Sequence, residues 1–206
     1  HTLGHSGPQG PGGPSIISAG KNNCCIHYYS YTGQAHDGDM VLNDVGAWHD
    51  SLMTDVSRGW PCNGKFNDRQ TLLYNIALET SNHMFSLIKP GMAMQDVDGE
   101  SHRYCAQLLQ EAGVLDKAEN IGTYMWHGGA HHVGLDVHDA VLTPERNAPN
   151  KVFCGDIGIY HEEWAIGCRV EDNCLVTETG CENLSASIPR TIPEIEDTMR
   201  QHFVAF

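Results

Sequence analysis

The chain has 206 residues, of which 40% are hydrophobic, and a formal net charge of −14 at pH 7. This length and composition are sufficient for one domain with a buried core. The acidic balance argues against a nucleic-acid partner, which requires a basic face, and no apolar run approaches the roughly 18 residues of a membrane span. We therefore expect neither a nucleic-acid nor a membrane partner.

The cysteines and the first residues predict a cytoplasmic protein. None of the eight cysteines forms a CxxC pair, which argues against a zinc ribbon or a thioredoxin-type site. Several lie in apolar runs, where a free cysteine behaves as a small hydrophobic residue. No charged segment followed by an apolar one opens the chain, as it would in a signal peptide. We expect a reducing compartment and no disulfide framework.

An irregular arm and two strands are predicted first. Residues 1–14 are rich in Gly and Pro and predict the arm, and residues 15–206 then form the folded domain. Ile16 and Ile17 predict one strand, and the apolar and aromatic residues of Cys24–Tyr31 predict another.

A hairpin that carries two carboxylates follows. Met40–Ala47 predicts a buried strand with Asp44 in its middle, and Ser51–Gly59, which contains Asp55, is its predicted partner. An ionised carboxylate in an apolar strand is costly unless it is paired or bound to a metal. Two of them on adjacent strands require a shared cation or a shared proton. This hairpin is therefore predicted to have a function beyond structure.

Three helices are predicted. Apolar residues recur at helical spacing over Asn67–Ile88, where Asn67 can cap the helix and Pro90 follows its end. A second helix is predicted over Asp96–Ala112, and a last one begins near Thr191, with a proline in its first turn.

Residues 126–139 hold four of the thirteen histidines and two carboxylates. Imidazole is the commonest neutral metal ligand and is well suited to proton transfer near neutral pH. Gly128 and Gly129 argue against a helix, so we predict a loop that runs into a strand at Val133–His138. A histidine-rich surface turn is the alternative interpretation.

A second hairpin, predicted over Lys151–Thr177, resembles the first. Seven residues from Asp44 align with seven from Asp156, with Asp, Gly and His identical and three other positions similar. A second carboxylate follows each of these aspartates: Asp55 in the first hairpin and Glu171 in the second. If the repeat is structural, two pseudo-symmetric halves face each other and each supplies two carboxylates to one central site. Four carboxylates and a histidine suit Mn²⁺, Fe²⁺, Co²⁺ or Zn²⁺.

Four groups of motifs occur in a consistent order: Asp44-Val-Gly with Thr54-Asp55-Val-Ser-Arg58, Asn63-Gly-Lys-Phe66, His127-Gly-Gly-Ala-His131 with Gly134-Leu-Asp-Val-His138-Asp139, and Gly167-Cys-Arg169-Val-Glu171-Asp172. With the helices between them, they resemble the catalytic domain of the aminopeptidase P (Xaa-Pro aminopeptidase) family from about Ser15 to Arg200. That resemblance implies an α+β pita-bread fold, in which pseudo-symmetric halves share a curved antiparallel sheet covered by helices. Prolidase, methionine aminopeptidase and creatinase share this fold.

The resemblance also implies a dinuclear metallo-aminopeptidase, in which a metal-bridging hydroxide attacks the peptide bond between an N-terminal residue and proline. The two divalent ions would be Mn²⁺, with Zn²⁺, Co²⁺ or Fe²⁺ as alternatives. The implied metal ligands are Asp44, Asp55, His131, Asp156 and Glu171, of which Asp55 and Glu171 would bridge the ions. The implied catalytic residues are His27, His127, His138 and Arg169. Of these, His127 and His138 would orient the substrate and stabilise the tetrahedral intermediate, His27 would face the substrate, and Arg169 would hold the network.

The chain departs from the family pattern in two ways. Asp156 stands where the family has Glu followed by Pro-Gly, so this ligand is one methylene shorter. Compared with the family pattern, we also expect the chain to start late and to lack the N-terminal domain and the opening helices. The uncovered apolar surface predicts a homo-oligomer. A prolidase-like Xaa-Pro dipeptidase and a non-catalytic binding module that retains the fold are the alternative functions.

Overall fold

The computed structural model describes residues 9–141 and 146–202. Within these residues there are ten strands and three α-helices. The strands are β1 (Gly10–Pro11), β2 (Ile16–Ala19), β3 (Met40–Val45), β4 (Ala47–His49), β5 (Leu52–Met53), β6 (Val56–Pro61), β7 (Ala130–His132), β8 (Val152–His161), β9 (Ile166–Val176) and β10 (Cys181–Asn183). The helices are α1 (Asp68–Leu87), α2 (Met94–Glu111) and α3 (Ile192–His202).

The strands form antiparallel sheets in the orders β1-β4-β5, β2-β3-β6 and β10-β9-β8-β7. The two predicted hairpins are present as β3/β6 and β8/β9, and β6 lies beside β9. Arg58 on β6 joins them, because its guanidinium donates to the Glu171 carbonyl at 2.6 Å and to the Asp172 carboxylate at 2.6 Å. The first and the second hairpin are therefore in contact through β6 and β9.

Helix α1 covers the second hairpin and begins where the sequence predicts. The Asn67 side chain accepts a hydrogen bond from the Gln70 N–H at 3.0 Å, and the Gln70 side chain accepts one from the Asn67 N–H at 3.0 Å. This reciprocal pair satisfies two N–H groups that the first helical turn leaves open. Leu73, Ala77 and Met84 on the inner face are completely buried, and α1 packs on β8 and β9.

The predicted strand at Cys24–Tyr31 is wrong. A 3-10 helix occupies Gly20–Cys24, and no strand includes residues 25–31. Asn23 explains the turn, because its buried amide donates to the carbonyls of Met40 at 2.7 Å and Gly167 at 3.1 Å. A side chain that bridges the two sheets in this way favours a local turn over a continued strand.

The predicted strand at Val133–His138 is also wrong, because the strand of this region is β7 at Ala130–His132. Residues 133–138 form a turn, in which the Asp139 carboxylate accepts a hydrogen bond from the Leu135 N–H at 3.1 Å. Asp and Asn side chains compete with strand hydrogen bonds in this manner.

The partner of β3 begins later than predicted, because Val56–Pro61 pairs with β3 while Leu52–Met53 pairs with β4. Gly46 separates β3 from β4, and a Cβ atom at this position would collide with the Thr54 carbonyl. The chain therefore bends sharply where the sequence suggests one continuous strand.

Part of the predicted arm is ordered. Gly10 and Pro11 pair with β4 opposite Trp48 and Ala47, while residues 1–8 lie outside the described residues. The domain boundary at residue 14 stays a prediction. None of the described helices combines the length and the apolar composition that a membrane crossing requires.

Candidate metal centre

A cavity of about 370 Å³ opens between the two hairpins. It brings together every residue that the sequence resemblance singled out. Its lining includes Asp44, Asp55, His131, Asp156 and Glu171, and also His27, His127, His138 and Arg169.

The strand register explains how the carboxylates converge. Asp156 on β8 lies directly opposite Glu171 on β9, so their side chains share one face of the sheet. Asp44 lies on β3, and Asp55 immediately precedes β6. The backbone of Asp55 is fixed by Asn173, which accepts from its N–H at 3.2 Å and donates to its carbonyl at 2.8 Å.

The carboxylates repel one another in a buried site. Burial, followed by the charges of Glu171 and Asp44, raises the pKa of Asp55 to about 9. The pKa of Glu171 is raised well above its usual value by burial first, and then by Asp156 and Asp44. The Ser57 hydroxyl, which donates to Glu171 at 2.7 Å, and Arg169, which donates to Asp44 at 2.9 Å, compensate in part. A divalent cation would relieve the remaining repulsion.

His131 presents a lone pair to this cluster. Its Nδ1 lies 3.2 Å from the carbonyl of His132, so this nitrogen carries the proton and donates. Its Nε2 lies 3.2 Å from Glu171 Oε1 and 3.8 Å from Asp55 Oδ2. A backbone carbonyl that fixes the tautomer of a histidine in this way is typical of metal ligands.

Asp156 supplies a second sign that the residues fit a metal. Its Oδ1 atom is buried and accepts no hydrogen bond from the described residues. Its Oδ2 atom lies 3.5 Å from His127 Nδ1. A buried carboxylate oxygen without a partner is costly, and a cation in the cavity would provide the missing interaction.

On one wall of the cavity, His127 contacts Tyr160. Its Nδ1 lies 2.9 Å from the Gly128 carbonyl and therefore carries the proton, so its Nε2 accepts from the Tyr160 hydroxyl at 2.8 Å. The Tyr160 ring stacks on Trp126 at 4.5 Å. A Cβ atom at Gly158 would collide with His127 and the Tyr160 hydroxyl, so this contact requires glycine there.

The other two histidines, His27 and His138, lie next to each other in the cavity lining. The His138 ring meets the His131 ring edge-on at 4.4 Å, and His27 lies 6.4 Å from His138. Burial, followed by the charges of His131 and His27, lowers the pKa of His138. A neutral imidazole therefore faces the cavity at pH 7.

Residues 1–178 match the model of metallopeptidase family M24. The chain belongs to metallopeptidase family M24. This M24 chain is 34% identical to Xaa-Pro aminopeptidase of Escherichia coli (strain K12), over 97% of the chain and 49% of that protein. It is 31% identical to the mitochondrial intermediate cleaving peptidase 55 of Arabidopsis thaliana, over 91% of the chain and 40% of that protein. The chain therefore spans less than half the length of these two curated relatives.

Solved structures described as aminopeptidase P share the fold. A protein described as aminopeptidase P from Bacillus anthracis superposes with a TM-score of 0.95 at 36% identity, over 98% of this chain and 49% of that one. Zn-substituted aminopeptidase P from Escherichia coli, in complex with product, superposes with a TM-score of 0.93 at 31% identity, over 100% of this chain and 51% of that one. The resemblance to aminopeptidase P and the α+β pita-bread fold are thus confirmed.

The M24 chain also places four residues at the cavity wall or behind it that sequence reasoning missed. Tyr160 could have been found, because it occupies the aromatic position of the repeat that aligns with Trp48. Ser57 and Asn173 support Glu171 and Asp55 as described above. Asp98 on α2 accepts a hydrogen bond from the Gly129 N–H, between two site histidines. Nothing in the local sequence of α2 points to that contact.

Proposed function

We propose that this M24 chain carries the catalytic centre of a metallo-exopeptidase that hydrolyses the peptide bond between an N-terminal residue and proline. The supporting observation is the convergence of four carboxylates and His131 on one cavity, among whose described lining residues Arg169 is the one Lys or Arg. The names of the relatives, Xaa-Pro aminopeptidases from several bacteria, support the choice of substrate.

We propose that Asp44, Asp55, His131, Asp156 and Glu171 hold two divalent ions. Asp55 and Glu171 would hold an ion together with His131, because both carboxylates lie close to His131 Nε2. Mostly oxygen donors favour Mn²⁺, with Zn²⁺, Co²⁺ or Fe²⁺ as alternatives. When bound, such ions polarise a carbonyl group and lower the pKa of water so that it is a nucleophile at neutral pH.

The other residues position the substrate. His127 Nδ1, which donates to the Gly128 carbonyl, also lies 3.5 Å from Asp156 Oδ2, so His127 stands beside that carboxylate while Tyr160 holds the opposite ring nitrogen. Neutral His138 stands beside His131 and can donate a hydrogen bond to the carbonyl oxygen of the scissile bond. His27 extends this wall, and Arg169 keeps Asp44 in place through their ion pair.

Elemental analysis combined with a cleavage panel tests the proposal. A Mn²⁺-loaded sample should contain two ions per chain and cleave Xaa-Pro-Yaa-Zaa peptides before proline. Turnover confined to Xaa-Pro dipeptides would instead favour the prolidase-like alternative. Fewer than one ion per chain after loading, with no turnover, would favour a binding module. The cytoplasmic location and the homo-oligomer stay predictions.

The Asp156 side chain is one methylene shorter than Glu, so it should hold its ion more weakly than Asp44 holds the other, and Asp156→Glu is expected to tighten that ion and to raise activity at limiting Mn²⁺. The Met84 and Phe85 side chains of α1 fill the space beside Gly155, so β8 cannot move back, and the longer side chain must extend into the cavity. Metal titration of both forms measures this, with Asp37→Glu at an exposed position as the control. If the Glu form binds the second ion no better, the strand is already shaped for Asp.

Asp98→Ala is expected to reduce metal affinity or activity by about ten- to a hundredfold. Losses of this size are typical for residues that hold metal ligands in place by hydrogen bonds without binding the metal themselves. The change leaves the Gly129 N–H without its acceptor and loosens the segment between His127 and His131. Asp98→Asn, which retains an acceptor oxygen, should recover part of the loss. Asp96→Ala, at an exposed position of the same helix, is the control. Equal metal affinity and activity in the two Ala variants would contradict the role of Asp98.

A further inference from the structure

Cys154 lies inside the cluster of proposed metal ligands. Successive side chains of a strand point to opposite faces, so Cys154 shares the face of β8 that Asp156 presents to the cavity. The register places it opposite His131 on β7 and Asn173 on β9. Its side chain is fully buried, and its Sγ lies 3.8 Å from the Asp55 carbonyl oxygen and 3.8 Å from Asn173 Oδ1.

The sulfur is close enough to the other donors to share an ion with them. One ligand atom from each of Asp55, His131, Cys154 and Glu171 lies within 4.8 Å of the other three. Two oxygens, one nitrogen and one sulfur could therefore surround a single ion in this cluster. A sulfur ligand raises the affinity of a site for thiophilic ions relative to hard ones, because thiolates favour Zn²⁺ whereas carboxylates alone also suit Mn²⁺ and Mg²⁺.

We propose that Cys154 is an additional metal ligand, which gives the ion position at Asp55, His131 and Glu171 a preference for thiophilic divalent ions over Mn²⁺. This inference rests on the metal centre of the proposed function and replaces Mn²⁺ by a thiophilic ion as the preferred ion at this one position. As the metal–sulfur bond forms, the S–H bond breaks and its proton passes to solvent, so the reaction needs no oxidant or reductant. Zn²⁺ is the ion that this donor set selects, and Cd²⁺ is its spectroscopic probe.

Titration of the metal-free chain with Cd²⁺ tests the inference, because a cadmium–thiolate bond has a charge-transfer band in the ultraviolet. The other cysteines contribute a background, so the readout is the difference between wild type and Cys154→Ser at equal bound Cd²⁺. We expect the variant to lose one sulfur–cadmium band at the first equivalent, and its preference for Zn²⁺ over Mn²⁺ to fall at least tenfold. Cys168→Ser, a buried cysteine on β9, should retain both, and Cys154→Ala serves if the Ser variant does not fold.

The outcomes separate this inference from the proposed function. If wild type and Cys154→Ser bind Cd²⁺ with identical spectra and identical Zn²⁺ preference, the sulfur is not a ligand and the carboxylate centre stands. If wild type binds no Zn²⁺, Cd²⁺ or Mn²⁺ at all, both the thiol ligand and the metal centre are overturned. Loss of the band in Glu171→Gln as well would place the sulfur and the carboxylate on the same ion.

Discussion

Glu171→Gln is expected to reduce peptide hydrolysis at least a thousandfold, which corresponds to about 4 kcal/mol of transition-state stabilisation, and to release at least one metal ion. Glu171 is 1% exposed, lies opposite Asp156 across the sheet, and contacts His131 Nε2 at 3.2 Å. Gln retains its size but removes the charge that pairs with the cations. His131→Ala should have the same effect, because the ligands act as a unit.

Matched control variants distinguish loss of the metal centre from loss of the folded structure. Glu182 lies on β10 of the same sheet and is exposed, so Glu182→Gln should retain full metal content and rate. His49, with an exposed side chain, is the matching control for His131→Ala. Metal content is measured by elemental analysis after gel filtration, and rate on a Xaa-Pro peptide. Full metal and full rate in either ligand variant would show that the assignment of that ligand is wrong.

The sequence was most informative where its pattern repeats. The match between Asp44 and Asp156, followed in each half by another carboxylate, predicted two hairpins that share a site, and the structure places all four carboxylates around one cavity. The cap at Asn67 was equally readable, because the capping box is a local interaction. The fold class and the candidate ligands could therefore be predicted from the sequence.

Features that depend on tertiary contacts could not be predicted from the sequence. The strand predicted at Cys24–Tyr31 fails because Asn23 bonds to carbonyls about 17 and 144 residues away in sequence. The Asp98–Gly129 hydrogen bond joins residues 31 apart, and Cys154 enters the cluster only because β7 and β9 flank it. Periodicity reports which face a side chain occupies, but it does not report what lies opposite.

The metal-free chain is expected to lose stability as the pH rises from about 7 to about 8. The pKa of Asp55 is about 9 in the folded chain and about 3.9 when unfolded. Between these values the folded state holds a proton that the unfolded state has released, so the free energy of unfolding falls with rising pH. The fall is about 1.4 kcal/mol per pH unit for each such proton, and Glu171, whose pKa is also raised, acts in the same direction.

The range from pH 7 to 8 isolates this effect. Histidines with lowered pKa values, such as His138 and His161, stabilise the fold as the pH rises through about 6.5 and would mask it at lower pH. Buried cysteine thiols, whose unfolded pKa is about 8.5, make a smaller contribution that lies mostly above this range. Urea unfolding in EDTA at the two pH values measures the fall. Saturating Mn²⁺ should remove most of it, because the ion replaces the proton between the carboxylates.

Asp55→Asn is the decisive variant for this pH dependence. Asn keeps the shape of the side chain but cannot ionise, and its neutrality also lets Glu171 release its own proton at lower pH. The variant should therefore be more stable than wild type at pH 8 in EDTA, with a pH slope reduced by half or more, while Mn²⁺ stabilises it far less. A wild-type free energy of unfolding that is the same at both pH values in EDTA would contradict the buried, repelling carboxylates. So would an Asp55→Asn slope equal to that of wild type.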